Sequence, residues 1–151
     1  MRSEESNYYK GIVITTGVVM GVSTNSNGAQ INFEIIQDRE QLPRKIFDTI
    51  DRLKQNRGFF VFNHENFDTK DDYLVIFSGK RKTGGYSIQV DSVKLTGKTV
   101  EVIVSEKVPG DDEITIQALT YPHVITKLEY KVEVENHKVI TDQGEELSKL
   151  Y

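Results

Sequence analysis

The chain has 151 residues, a mass of 17.2 kDa and a formal net charge of −4, enough for one ordinary core and one domain. With 37% hydrophobic and 28% charged residues it is too apolar for disorder, and its acidity excludes a nucleic-acid or anionic-membrane surface covering the whole molecule. The absence of cysteine excludes disulfides, thiolate metal sites and thiol nucleophiles together. No run approaches the ~20 apolar residues of a transmembrane helix.

Residues 1–9 read as a flexible leader, polar and without the apolar stretch of a signal peptide. From Ile12 the even positions Ile12, Ile14, Thr16, Val18, Met20 and Val22 keep the period of two that gives a strand one buried face. Ser23 to Gly28 is a polar turn, after which Ile31, Phe33 and Ile35 alternate again, so the pair reads as a hairpin. Leu42, Ile46, Ile50 and Leu53 recur at helical spacing, with Phe47 widening the stripe. The helix is placed near residues 42–55, with Pro43 in its first turn and Gln55 to Gly58 as its stop.

Phe59 to Phe62 is a short apolar run, and Asn63 to Asp72 a polar loop. Tyr73 to Phe77 is apolar throughout, as in a strand covered on both faces. Tyr86, Ile88 and Val90 alternate, and the phase slips across Asp91-Ser92 before Val93 and Leu95, which predicts a bulge. Thr96-Gly97-Lys98 is a turn leading to Val100, Val102 and Val104. Ile114, Ile116 and Ala118 predict another strand, and Val124 to Val134 one or two more. A last hairpin is expected to turn at Glu135-Asn136-His137. The expected organisation is one β-rich domain over residues 10–141 and a charged C-terminal tail over 142–151. The fold class is mainly β, α+β by strict count: an antiparallel β-sandwich or partial barrel with one helix.

No motif names a reaction. The histidines His64, His123 and His137 share no element with a second ligand at metal-binding spacing. The acidic groups Asp68/Asp71/Asp72 and Asp111/Asp112/Glu113 lack the spacing and fixed glycine of a calcium loop. Ser78 precedes Gly79 without the glycine that a nucleophile elbow places before its serine. The expectation is therefore no catalytic residue, no metal and no cofactor.

Two segments stand out. Lys80-Arg81-Lys82-Thr83-Gly84-Gly85-Tyr86 combines basic residues with glycines, but a phosphate loop ends in Gly-Lys-Ser/Thr and opens a helix, whereas this one opens a strand. Its glycines suit positive φ in an irregular connection, and its exposed tyrosine with basic flanks suits a protein contact. Tyr121-Pro122-His123 interrupts a strand pattern with proline, which implies a corner. Tyr121 fits equally a residue packed into the core and one used for recognition.

Gly79 to Ile88 reads Gly-Lys-x-x-Thr-Gly-Gly-Tyr-Ser-Ile, Pro109-Gly110 follows a valine-rich strand, and Gln117 to Pro122 reads Gln-Ala-Leu-Thr-Tyr-Pro. With the flanking apolar strands, residues 73–128 resemble the domain at the C-terminal end of PrcB, a subunit of a bacterial surface protease complex. The resemblance implies a non-catalytic, extracytoplasmic binding module, secreted or attached to the envelope, with any leader outside this sequence. The partner that the resemblance implies is a protein, a protease with which the module associates and which it stabilises. No nucleic-acid partner is expected, and oligomeric state is left open. Lys80 to Tyr86 and Tyr121 to His123 are the candidate contact loops, provided that they meet at one end of the sheet. A looser likeness to chagasin-type inhibitors, which are immunoglobulin-like, rests on the order Thr83-Gly84-Gly85-Tyr86, Pro109-Gly110, Tyr121-Pro122 and offers direct protease inhibition as the alternative. A small-ligand-binding domain is the third reading, and it requires a pocket with convergent polar groups.

Overall fold

The computed structural model describes residues 29–67, 71–130 and 132–151. The expected leader, the strand Ile12–Val22 and the turn to Gly28 lie outside the described residues. The elements in chain order are β1 (Ala29–Gln30), β2 (Asn32–Ile35), α1 (Arg44–Leu53), β3 (Gly58–Phe62), the single helical turn α2 (His64–Phe67) and β4 (Asp72–Phe77). They continue with β5 (Ser87–Thr96), β6 (Thr99–Lys107), β7 (His123–Glu129), β8 (Asn136–Thr141) and β9 (Glu146–Leu147). One sheet has the order β2-β7-β4-β3 and the other β1-β5-β6-β8-β9. They form a sandwich and not a closed barrel, with α1 as a third layer.

The alternation in β4 explains this layering. Leu74 and Ile76 join Phe33, Val93, Val102, Val104 and Val139 in the core between the sheets. Tyr73, Val75 and Phe77 point the other way, into a second core with Ile46, Ile50 and Leu53 of α1. Every residue of β4 is therefore buried, as an uninterrupted apolar run requires. The helix begins two residues later than its stripe suggests, at Arg44, because Pro43 keeps an extended ψ of 144° and caps α1 from outside. The bulge falls where the phase slip places it, between Val90 and Ser92. It lets Ile88, Val90 and Val93 all face the same core. A two-residue turn at Gly97 and Lys98 then joins β5 to β6.

Three expectations are corrected. Ile114, Ile116 and Ala118 form no strand: Pro109 and Gly110 follow the end of β6, and residues 111–119 find no ladder, leaving Ile114 98% and Ile116 67% exposed. The turn at Glu135-Asn136-His137 is not a hairpin, because β7 belongs to one sheet and β8 runs parallel to β6 in the other. Glu135 N and Asn136 N donate to Lys98 O at 2.8 and 3.2 Å, so this polar stretch anchors a crossover to the β5–β6 turn. The predicted charged tail folds back along the sandwich. Thr141 N donates to Glu145 O at 2.8 Å, β9 pairs with β8, and Phe59 N donates to Ser148 O at 2.9 Å. Buried Leu147 and half-buried Leu150 fasten this stretch, too few apolar residues to show a period.

The helix layer and the unpaired segment make opposite forecasts under truncation. Ile46 is fully buried, so Ile46→Ala should lower unfolding free energy by about 2–5 kcal/mol. Ile114→Ala should stay within about 0.5 kcal/mol of the parent in the same urea titrations.

Candidate functional site: the loop ribbon and the cleft beside Asp72

The connection from β4 to β5 and the segment before β7 lie side by side. Ser78 N donates to Pro122 O at 2.9 Å, Arg81 N to Thr120 O at 2.9 Å, Thr120 N to Arg81 O at 3.0 Å and Gly84 N to Ile116 O at 3.0 Å. Thr120 Oγ1 adds a bond to Thr83 O at 2.7 Å. The two segments run antiparallel as an irregular ribbon, so the condition that both candidate loops share one end of the sheet is met.

Glycine is required for this approach. Gly85 has φ +91°, and a Cβ there would lie 2.8 Å from Pro109 Cβ and 2.9 Å from Thr115 Cγ2. Gly84 has ordinary φ, contrary to the expectation for both glycines, and is small because a Cβ would sit 2.8 Å from Ile116 Cγ1. The Pro-Gly turn and the Thr-Gly-Gly segment therefore pack on one another.

The base of the ribbon is an ion network spanning both sheets. Arg57, just before β3, donates from Nη1 and Nη2 to Glu106 Oε2 and Oε1 of β6, both at 2.7 Å. Its Nε and Nη2 reach Glu145 Oε2 and Oε1 at 3.0 and 2.8 Å, and Nη1 also reaches Ser78 O at 3.2 Å. Ser78 Oγ donates to Glu106 Oε2 at 2.7 Å and accepts from Arg81 Nη2 at 2.9 Å. Hydrogen bonding from Arg57 holds the Glu106 carboxyl below its usual range against the cost of burial, and Glu106 raises Arg57 further in turn.

The candidate residues divide accordingly. Arg81 faces inward to Ser78, with its guanidinium carbon 5.0 Å from the centre of the Tyr86 ring. Thr83 serves the ribbon backbone through Thr120. Tyr121 is half-buried under Lys54 Nζ, 4.8 Å above its ring, and so lies between the two roles that its position allowed. Pro122 is also half-buried, and its carbonyl closes the corner on Ser78. His123 braces the base: Nδ1 donates to Tyr121 O at 2.8 Å, Nε2 meets Arg39 Nη2, and burial depresses its proton affinity. Lys80, Lys82 and Gly85 face solvent, and Tyr86 is half-exposed.

Sequence reasoning missed two features. The first is the exposed apolar group Val108, Ile114, Ile116 and Leu119, at 64%, 98%, 67% and 56% exposure. Its signal was the alternation mistaken for a paired strand. The second is a cleft of about 680 Å3 lined by Asn32, His64, Asp71, Asp72, Leu128, Glu129 and Tyr130. Asp72, 6% exposed, accepts from His64 N at 2.8 Å and His64 Nδ1 at 2.7 Å, and its other oxygen accepts from Tyr130 OH. Burial disfavours the Asp72 carboxylate, but these bonds outweigh it and hold its pKa below the usual range. The bond to Asp72 raises His64 in return. Only an acidic residue opening an apolar strand hinted at this cluster. Among the described residues no group of three or more acidic or histidine side chains is arranged to hold a metal ion.

Gly85→Ala should cost about 1–3 kcal/mol of stability and displace the amide resonances of residues 109–116. Gly84→Ala should cost less than about 1 kcal/mol, because the obstructing Ile116 side chain lies in an exposed segment and can turn aside.

Comparison with known proteins bears on the same segment. No curated protein and no solved structure matches the chain. Residues 73–129 match the PrcB C-terminal family, a stretch that runs from β4 through both sides of the ribbon to the end of β7. Over these residues the chain is similar to the PrcB C-terminal family, and the ribbon lies wholly inside the matched stretch.

Proposed function

We propose that this chain is a non-catalytic protein-binding module of the extracytoplasmic space, an accessory subunit that holds or stabilises a secreted or surface protease. The observation that carries the reading is the ribbon, in which apolar side chains stand in solvent on a backbone braced from beneath by Arg57 and Glu106. A braced apolar projection suits docking into a partner, because little conformational freedom remains to be lost on binding. The family match supports a protease-associated partner, since PrcB is itself a protease-complex subunit.

Direct inhibition is the second reading. It is favoured by the meeting of Thr83-Gly84-Gly85-Tyr86, Pro109-Gly110 and Tyr121-Pro122 at one end of the sandwich. A small-ligand site would fall in the cleft beside Asp72, but His64 Nδ1, Tyr130 OH and the Asp72 carboxylate already satisfy one another there.

Envelope and secreted proteases from the source organism should be retained by the immobilised chain and lost with Tyr86→Ala/Ile114→Asp. Added in stoichiometric amounts, the chain should prolong the protease's active lifetime. Stoichiometric loss of activity would replace the accessory reading with inhibition, and equal retention by both forms would remove the ribbon from the contact.

A further inference from the structure

Residues 111–119 carry the alternation of a half-buried strand, yet the described chain leaves their apolar side chains mostly exposed. Ile114, Ile116 and Ala118 are all exposed. Backbone bonding within this stretch is sparse: Ile116 O accepts from Gly84 N, and Glu113 N closes the Pro-Gly turn on Gly110 O. A local pattern that asks for a strand, set where the described residues supply only the Gly84–Gly85 side, leaves an edge that a second chain can complete.

Charge identifies what completes it. The pairings Arg81 with Thr120, Gly84 with Ile116 and Gly85 with Thr115 fix the ribbon's polarity. Lys80 and Lys82 therefore flank the Leu119–Thr120 end. Asp111 and Asp112 flank the opposite end, beyond Ile114. All four are exposed, and none has an ion-pair partner among the described residues. An apolar centre with a basic rim at one end and an acidic rim at the other is complementary to itself after a half-turn, the requirement of an isologous interface. A second copy laid antiparallel sets each basic end on the other's acidic end and covers Ile114 and Ile116.

We propose that two copies of this chain associate through residues 111–119 about a two-fold axis. Lys80 and Lys82 of each copy face Asp111 and Asp112 of the other. This goes beyond the protease reading and stands or falls separately from it. If both hold, self-association and partner binding compete for the ribbon, and the dimer is the form that covers the apolar centre when no partner is bound.

The test is sedimentation of the full chain at low ionic strength across about three decades of concentration. The mass should rise from monomer to dimer, and added salt should reverse the rise. Ile114→Asp, at a site too exposed to disturb the fold, should remain monomeric. Lys80→Glu/Lys82→Glu and Asp111→Lys/Asp112→Lys should each weaken association at least about tenfold, and an equimolar mixture of the two should restore it. A monomer at every concentration, a dimer indifferent to Ile114→Asp, or reversals that mixing fails to rescue would each overturn the proposal.

Discussion

The guanidinium of Arg57 directs all five of its N–H groups to acceptors on three separate parts of the chain: Ser78 just past β4, Glu106 near the end of β6 in the other sheet, and Glu145 in the turn before β9. Two bidentate carboxylates around one planar cation give a fixed geometry as well as attraction. The Arg57 and Glu106 side chains are only 31% and 17% exposed, so breaking the pair strands a charge in a poorly hydrated place. That loss is worth about 3 kcal/mol by the behaviour of partly buried charged hydrogen bonds.

The ribbon depends on this arrangement. Ser78 Oγ relays from Glu106 to Arg81, and Arg81 exchanges backbone bonds with Thr120 and lies against Tyr86. Gly85 then brings the Pro109 turn into contact. Chemistry that resembles a binding loop in the sequence, a basic run with glycines, is divided by the fold. Arg81 and the glycines build the platform, while Lys80, Lys82 and the apolar segment beyond Gly110 face outward. The cleft beside Asp72 is arranged differently, with its polar groups closed on one another.

Periodicity made most of the architecture legible. The two-faced burial of β4, the helix stripe and the slip at Asp91-Ser92 are each local consequences of which side chains alternate, and each was readable. Pairing partners were not. Nothing local distinguishes a β7–β8 hairpin from a crossover that sets β8 parallel to β6, since the choice depends on strands far away in sequence. The C-terminal stretch was misread because Leu147 and Leu150 are too few to outweigh charged neighbours in a pattern. Ile114 and Ile116 show the reverse failure, a strand period in a segment that forms no strand among the described residues. At the ribbon, motif order located Thr83 to Tyr86 and Tyr121 to His123. Arg57, Glu106 and Glu145, which hold those loops, lie 49 and 88 residues apart in pairs and left no joint signature.

Hydrogen exchange on Glu106→Gln, compared with the parent chain, tests the dependence of the ribbon on Arg57 most directly. Neutral glutamine keeps the shape and removes the charge. The account predicts that amides of Arg81, Gly84 and Thr120 lose protection at least about tenfold, while those of α1 and the central strand β4 keep theirs. Unchanged protection at those three amides would contradict it, because the ribbon would then be held by its own backbone bonds and not by the network beneath.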